Sequence, residues 1–331
     1  MKIDLAMLRG LEREREIPFE ELAEIIEQAI QTAYVRHAEN QALPVPATED
    51  VRVSLDRKNG EISVLVPEHD DDGNVIGEAY VTTDEFGRVA SSAAKQVINQ
   101  RLRDISDDAV LGQFKDKEGQ VVSGVIQQGP NPRMVHVDLG EVEGIIPPEE
   151  QIPGEEYTHG ARIRVYVTSV SKGLKGPQVV LSRTHPGLVR RLFEREVPEL
   201  GEGLVEIVSL AREAGHRSKV AVRAKQAGIN AKGTCIGEMG SRVRAVMNEL
   251  GEEKIDIVDY SPELPKFVAN ALSPAKVTDV FMINESLKQV RALVPDFQLS
   301  LAIGKEGQNA RLAAKLTGAK IDIQPDSIMN D

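Results

Sequence analysis

Residues 235–244 read Cys-Ile-Gly-Glu-Met-Gly-Ser-Arg-Val-Arg, and residues 302–311 read Ala-Ile-Gly-Lys-Glu-Gly-Gln-Asn-Ala-Arg. The two stretches lie 67 residues apart, and each holds a small residue, Ile, a Gly-x-x-Gly loop and an Arg four residues past the second glycine. Gly251 and Gly318 follow about ten residues later, and then the same tetrapeptide, Lys-Ile-Asp-Ile, at 254–257 and 320–323. A lone Gly-x-x-Gly is common. A loop, helix and strand recurring at nearly constant spacing mark a duplicated unit.

Glycines between two helices let a phosphodiester backbone approach the main chain. The helix that follows then points its N-terminal N–H groups at the phosphates, and Arg244 and Arg311, one turn in, add charge-assisted contacts. KH domains hold about four nucleotides of single-stranded RNA in this way. The alternative is that these glycines merely permit a tight helix–helix turn.

Around the loops the same order recurs. A hairpin is expected over 205–211 and 219–223 about the turn Glu213-Ala214-Gly215-His216, then a helical segment, the first loop, a helix at 241–250 and a strand at 255–258. After Pro262 to Pro265 come a helix at 266–272, strands at 277–283 and 288–294, a helix at 296–302, the second loop, a helix at 307–317 and a strand at 319–323. Upstream, five short β runs (121–126, 134–139, 144–146, 163–170, 178–182) predict a small closed barrel of the OB type. Residues 106–118 are polar and read as a linker before it. The first third is α+β. Phe19, Leu22, Ile25, Ile26, Ala29, Ile30, Ala33 and Tyr34 form one helical face, strands alternate around Lys58-Asn59-Gly60, and a helix is expected over 84–105. The boundaries expected are 1–110, 111–184, 185–265 and 266–331.

The net charge of −12 is unevenly placed. Residues 1–110 carry 12 basic and 23 acidic side chains, whereas 111–185, 186–265 and 266–331 come to −1, −1 and +1. An acidic first third is repelled by nucleic acid and suits a basic protein surface. The single cysteine, Cys235, excludes an intramolecular disulfide and suits a reducing cytoplasm. The charged stretch 1–16 is unlike a signal peptide, and no apolar run has the length of a membrane span.

Sites of enzyme chemistry are missing from the pattern: no P-loop, dinucleotide fingerprint, His-Glu-x-x-His or Cys-x-x-Cys occurs. Glu68, Asp70, Asp72 and Gly73 partly mimic a calcium loop but lack its first Asp and closing Glu, so they read as a solvated turn. Cys235, in an apolar run, reads as a core thiol. No cofactor or metal is expected. In the barrel, His136 points away from Val135 and Val137 and reads as a surface histidine, solvated or stacked on a base. Arg162 and Arg164 share one strand face and read as RNA-contacting or solvated.

An acidic α+β domain, an OB-type barrel and two KH units in this order resemble the NusA family of bacterial transcription elongation and termination factors. The likeness spans essentially the whole chain. It is most specific at 235–244, 254–258 and 303–318, and in the barrel at Val137–Gly140, Glu143–Pro147 and Leu181–Arg183, which resemble the S1-type RNA-binding domain. The resemblance implies that the first domain docks on RNA polymerase near the RNA exit channel. It also implies that barrel and KH pair bind nascent RNA, alongside other elongation and antitermination factors, in a cytoplasmic and monomeric protein. The implied clamps are Gly237, Glu238, Met239 and Gly240 with Ser241, Arg242 and Arg244, and Gly304, Lys305, Glu306 and Gly307 with Gln308, Asn309, Arg311 and Lys315. The first loop departs from the pattern: Glu238-Met239 puts an acid beside a phosphate, so the second loop, with Lys305, is expected to bind more strongly. The acidic repeats that some relatives carry after the second KH unit have no counterpart in this sequence, so contacts made through them are expected to be absent. The rival readings are an RNA-processing nuclease or phosphorolytic enzyme, and a ribosome-associated RNA-binding protein.

Overall fold

The apolar stripe read at 19–34 forms helix α2 (Phe19–Asn40), with Leu22, Ile26, Ile30 and Tyr34 buried. The structure is a computed structural model that describes residues 2–15, 17–41, 46–70, 74–81, 84–173, 176–251 and 253–329. Internal contacts divide the chain into two units, Met1–Ala109 and Val110–Asp331.

In the first unit α1 (Leu5–Arg15), α2 and most of α3 (Asp84–Lys115) accompany an antiparallel sheet of β1 (Arg52–Leu55), β2 (Ile62–His69) and β3 (Val75–Tyr80), in that order. Alternation selects the face that packs: Leu55, Ile62 and Val64 join Leu22, Ile26, Phe86, Ala90 and Ile98 in one core. Arg57, beyond β1, bridges Glu20 and Glu27 of α2, and Glu27 also accepts from Leu55 N at 2.8 Å.

The expected linker is a helix for most of its length. α3 continues to Lys115, because Val110, Leu111 and Phe114 recur at helical spacing and pack on the barrel core beside Val137, Val165 and Leu181. The barrel closes in the order β4 (Val121–Gln127), β5 (Val135–Asp138), β6 (Glu143–Ile146), β8 (Gly176–Ser182), β7 (Arg162–Gly173).

Two α-β-β-α-α-β units follow. The first comprises α4 (Pro186–Glu196), the single turn α5 (Pro198–Gly201), β9 (Val205–Glu213), β10 (Arg217–Ala224), α6 (Ala231–Ile236), α7 (Ser241–Glu249) and β11 (Lys254–Asp259). The second comprises α8 (Leu264–Ala271), β12 (Asp279–Asn284), β13 (Gln289–Val294), α9 (Leu299–Ile303), α10 (Gln308–Thr317) and β14 (Lys320–Pro325). In each the hairpin is antiparallel and the last strand joins parallel, so the Lys-Ile-Asp-Ile repeats take the same edge: Lys254 is opposite Arg217, and Lys320 opposite Gln289.

Candidate nucleic-acid interface

The repeated sequence makes a repeated backbone. Gly237 and Gly304 end α6 and α9 at φ/ψ of 76°/170° and 78°/169°. Met239 and Glu306 follow in the left-handed region (50°/24° and 54°/27°), as do Gly240 (76°/19°) and Gly307 (72°/14°). The first and second glycines of each loop have different jobs. Gly237 and Gly304 occupy a region that only glycine populates, and a Cβ there would sit 2.7 Å from Arg242 Cγ or 2.8 Å from Asn309 N. A Cβ on Gly307 would meet nothing within 4 Å, and one on Gly240 only Arg244 and Val243 at ordinary distances. The second glycine therefore leaves a bare surface before the first N–H groups of α7 and α10, the geometry that admits an anion. Met239 is 86 % exposed in a conformation that costs a non-glycine residue about 1–2 kcal/mol.

Side chains assigned to the clamps divide into those that close the loop and those that face outward. Arg242 and Asn309, both two residues past the second glycine, turn back. Arg242 Nη1 donates to Thr234 O and to Glu199, each at 2.9 Å. Asn309 is buried and its Nδ2 donates to Leu272 O (3.0 Å) and Ala302 O (2.9 Å). These two residues staple the loop to the preceding helix; burial corrects the reading of Asn309 as an RNA contact, whereas the Arg242 side chain stays 30 % exposed. Glu238, Ser241, Arg244, Lys305, Glu306 and Lys315 are exposed. Arg311 is exposed too, but its Nε donates to Glu213 at 2.6 Å, and Gln308 Nε2 donates to the same carboxylate at 2.9 Å. The Arg311 hydrogen bond holds the Glu213 carboxyl below its usual range.

In the barrel one reading is corrected. His136 is buried, not on the surface: Gly129 lies on its imidazole, so close that a Cβ there would fall 1.9 Å from His136 Cδ2, and Nδ1 pairs with Glu143 at 2.6 Å. Arg164 is partly exposed, with a third of its side chain accessible. It pairs with Glu249 at the end of α7, joining barrel to first KH unit. Arg162 is exposed, as expected. The same junction holds Arg183, a buried side chain paired with Glu155 and donating to Arg164 O (2.8 Å) and Glu249 O (2.9 Å). The Tyr166 ring stacks on His185 at 4.3 Å. Cys235 is buried, and burial pushes its thiol up to about 11, far from nucleophilic use.

Three residues that the sequence reading left as turn and strand sit beside the second loop. Glu213, His216 and Lys254 line a 560 Å³ cleft with Lys305, Glu306, Gln308 and Arg311. The turn at 213–216 was legible as a hairpin; its position against a loop about ninety residues away was not. Asp72 and Gly73 lie outside the described residues. Among the described residues no His, Cys, Asp or Glu group is arranged to hold a metal, and no helix is long and apolar enough to cross a membrane.

Comparison with known proteins agrees module by module. The NusA N-terminal domain family matches residues 5–69, the S1 RNA-binding domain 115–182, the NusA-like first KH domain 183–260 and the NusA-like second KH domain 264–331. The chain is 52 % identical to the transcription termination/antitermination protein NusA of Mycobacterium bovis over 99 % of this chain and 94 % of that protein. It is 46 % identical to the NusA protein of Bacillus subtilis (98 % and 91 % covered) and 37 % identical to that of Thermus thermophilus (97 % and 89 %). Identity at this level over almost the whole length, together with matches to all four domain families, shows that the chain belongs to the NusA family of transcription termination/antitermination proteins.

Proposed function

We propose that this chain docks on RNA polymerase through its acidic first domain and binds nascent single-stranded RNA through the barrel and both KH units, modulating pausing, termination and antitermination. The four modules are taken as 1–110, 111–184, 185–265 and 266–331. The observation that carries the RNA reading is the pair of loops with matching dihedrals, each with a bare second glycine in front of a helix N-terminus. The RNA-facing set is Glu238, Met239, Gly240, Ser241 and Arg244 in the first loop, and Lys305, Glu306, Gly307, Gln308, Arg311 and Lys315 in the second, with Arg162 on the barrel. Gly237 and Gly304 shape the loops. The acidity of residues 1–110 supports a protein contact there, and the names of the relatives support the transcriptional role. The reading is of a monomeric, cytoplasmic binding protein rather than an enzyme, acting with other elongation and antitermination factors.

The test is a titration of the full chain with fluorescent single-stranded RNA, beside the Gly240→Asp/Gly307→Asp double variant. Salt-sensitive binding lost in the variant is expected. Full affinity in the variant would move RNA binding to the barrel and leave the loops as turns. Pull-down with RNA polymerase, set against ribosomal subunits, tests the docking half.

A further inference from the structure

The two KH units stack in alternating layers. The sheet β9–β11 packs one face on α4, α6 and α7 through Val205, Ile207, Val220, Val222 and Ile257. Its other face packs on α8 and α10 of the next unit through Ala211, Ala221 and Val258. Those helices also pack on their own sheet, through Val290, Ala292 and Ile321. The far face of the sheet β12–β14 ends the stack.

Strand register makes that end face the twin of the one α8 and α10 cover. Ala211, Lys219 and Asp256 lie side by side across the first sheet; Phe281, Arg291 and Asp322 lie side by side across the second. The cation–carboxylate pair recurs: Lys219 Nζ is 2.9 Å from Asp256, and Arg291 Nε is 2.8 Å from Asp322. On the first face the pair receives a helix end. Lys219, with no exposed side-chain surface, donates to Ser273 O just past α8 at 2.8 Å. Ser209, in the neighbouring row, donates to Leu316 O in the last turn of α10 at 2.9 Å. Carbonyls at a helix C-terminus have no intrahelical donor and carry the negative end of the dipole, so a buried ammonium there satisfies both. On the second face the equivalent row is open, with the Arg291 side chain 47 % exposed and Phe281 38 % exposed. The apolar surface on this face is Phe281; Met282, exposed as well, stands opposite Val290 and lies on the other face. The last repeat of a stack ordinarily closes with a polar face; this one leaves an aromatic side chain exposed beside a cation that receives no helix end.

We propose that the far face of the β12–β14 sheet docks an amphipathic helix of a partner protein, laid across the Phe281–Arg291–Asp322 row with its C-terminal carbonyls on Arg291. The twin face supplies the occupant's chemistry: a helical surface of small apolar residues ending in free carbonyls. Two differences define it further. Phe281 stands where Ala211 does, so the partner helix has a small residue at that point. Asp279 stands where Ser209 does, in the row with Leu293, so the partner presents a donor there rather than a carbonyl. Asp279 and Asp322 oppose a phosphate backbone, which separates this face from the loops. The inference does not depend on the RNA reading.

The test is a titration of the full chain with a fluorescein-labelled, hydrocarbon-stapled peptide of residues 262–273, the segment that carries α8. Saturable binding is expected, weakened about tenfold or more by Phe281→Asp and by Arg291→Glu, a change of at least 1.4 kcal/mol. Both variants are expected to keep the melting temperature of the unmodified chain, which shows that they fold. No binding, or equal binding to both variants, overturns the proposal. So does self-association of the unliganded chain in sedimentation that Phe281→Asp abolishes, since the face would then belong to a second copy.

Discussion

The carboxylate of Glu213, at the end of β9 in the first KH unit, holds the guanidinium of Arg311, one turn into the helix that follows the second Gly-x-x-Gly loop. A side chain that the repeat pattern assigns to a phosphate thus already has an anion, supplied by the neighbouring repeat. An exposed pair of this kind contributes about 1 kcal/mol or less, so under the proposed function RNA would displace it, and displacement would couple RNA binding at the second loop to the contact between the KH units.

Replacing Glu213 by Gln keeps the shape and removes the competing charge. We expect Glu213→Gln to bind single-stranded RNA up to about fivefold more tightly at low salt. The salt slope should steepen by about 0.7, the value of one added phosphate contact on a single strand. Anisotropy titrations from low to moderate salt read both. Weaker binding would mean that Glu213 positions Arg311 for RNA instead of competing for it.

The two glycines of one loop should respond differently to the same substitution. Gly304→Asp forces a Cβ to within 2.8 Å of Asn309 N in a glycine-only conformation, so it should lower thermal stability as well as RNA affinity. Gly307→Asp has space, and left-handed backbone tolerates Asp. It should weaken RNA binding by charge alone and nearly preserve the melting temperature, with Gly307→Asn as the neutral control. Equal melting temperatures for Gly304→Asp and the unmodified chain would refute the division of labour.

Arg212 and Glu253 form a bidentate pair with both side chains essentially inaccessible (1 % and 0 %), and Glu253 also accepts from Gly215 N and Ser218 Oγ. Breaking a buried pair by removing one partner leaves an uncompensated charge and costs about 3–5 kcal/mol. Arg212→Met should therefore lose about that much in urea unfolding of the second unit, and Arg212→Met/Glu253→Met should recover a large part of it. A double variant no better than the single one would place the stability in the Glu253 hydrogen bonds and not in the charge pair.

Acidification should weaken the KH pair. Hydrogen bonds from Arg311 hold Glu213 low, and those from Arg291 hold Asp322 low; Asp256 is pushed up by burial, but the bonds from Arg217 and Lys219 outweigh it and leave it low. A folded-state pKa below the unfolded one gives stability that is present above the ordinary carboxylate range, about 3.9 to 4.3, and disappears as pH falls through the folded values. Urea midpoints should thus change little from pH 7 to 5 and fall below pH 4. Asp256→Asn should flatten that fall. A midpoint that rises on acidification would contradict the sign of all three shifts.

Much of this protein is set by local pattern. Period-3.6 and period-2 spacing gave the helices and strands their buried faces, as at Leu22, Ile26, Ile30 and Tyr34 or Val165 and Val167. The duplicated loop specified the same dihedrals twice, because glycine alone relieves the steric conflict at Gly237 and Gly304. Charge counting located the acidity in the first unit. These properties depend on residues a few positions apart, which a sequence displays directly.

Which charged side chains face outward was decided by the tertiary structure. Arg242, Arg164 and Arg311 find Glu199, Glu249 and Glu213 at separations of 43, 85 and 98 residues, and no periodicity relates such positions. His136 had the right strand parity for a surface residue, but alternation says only which side of a strand it occupies. Gly129, in the loop after β4, lies on the imidazole and covers that side. Polymer connectivity makes local geometry readable from sequence order, whereas an ion pair or a covering loop depends on where distant segments meet once the cores have packed.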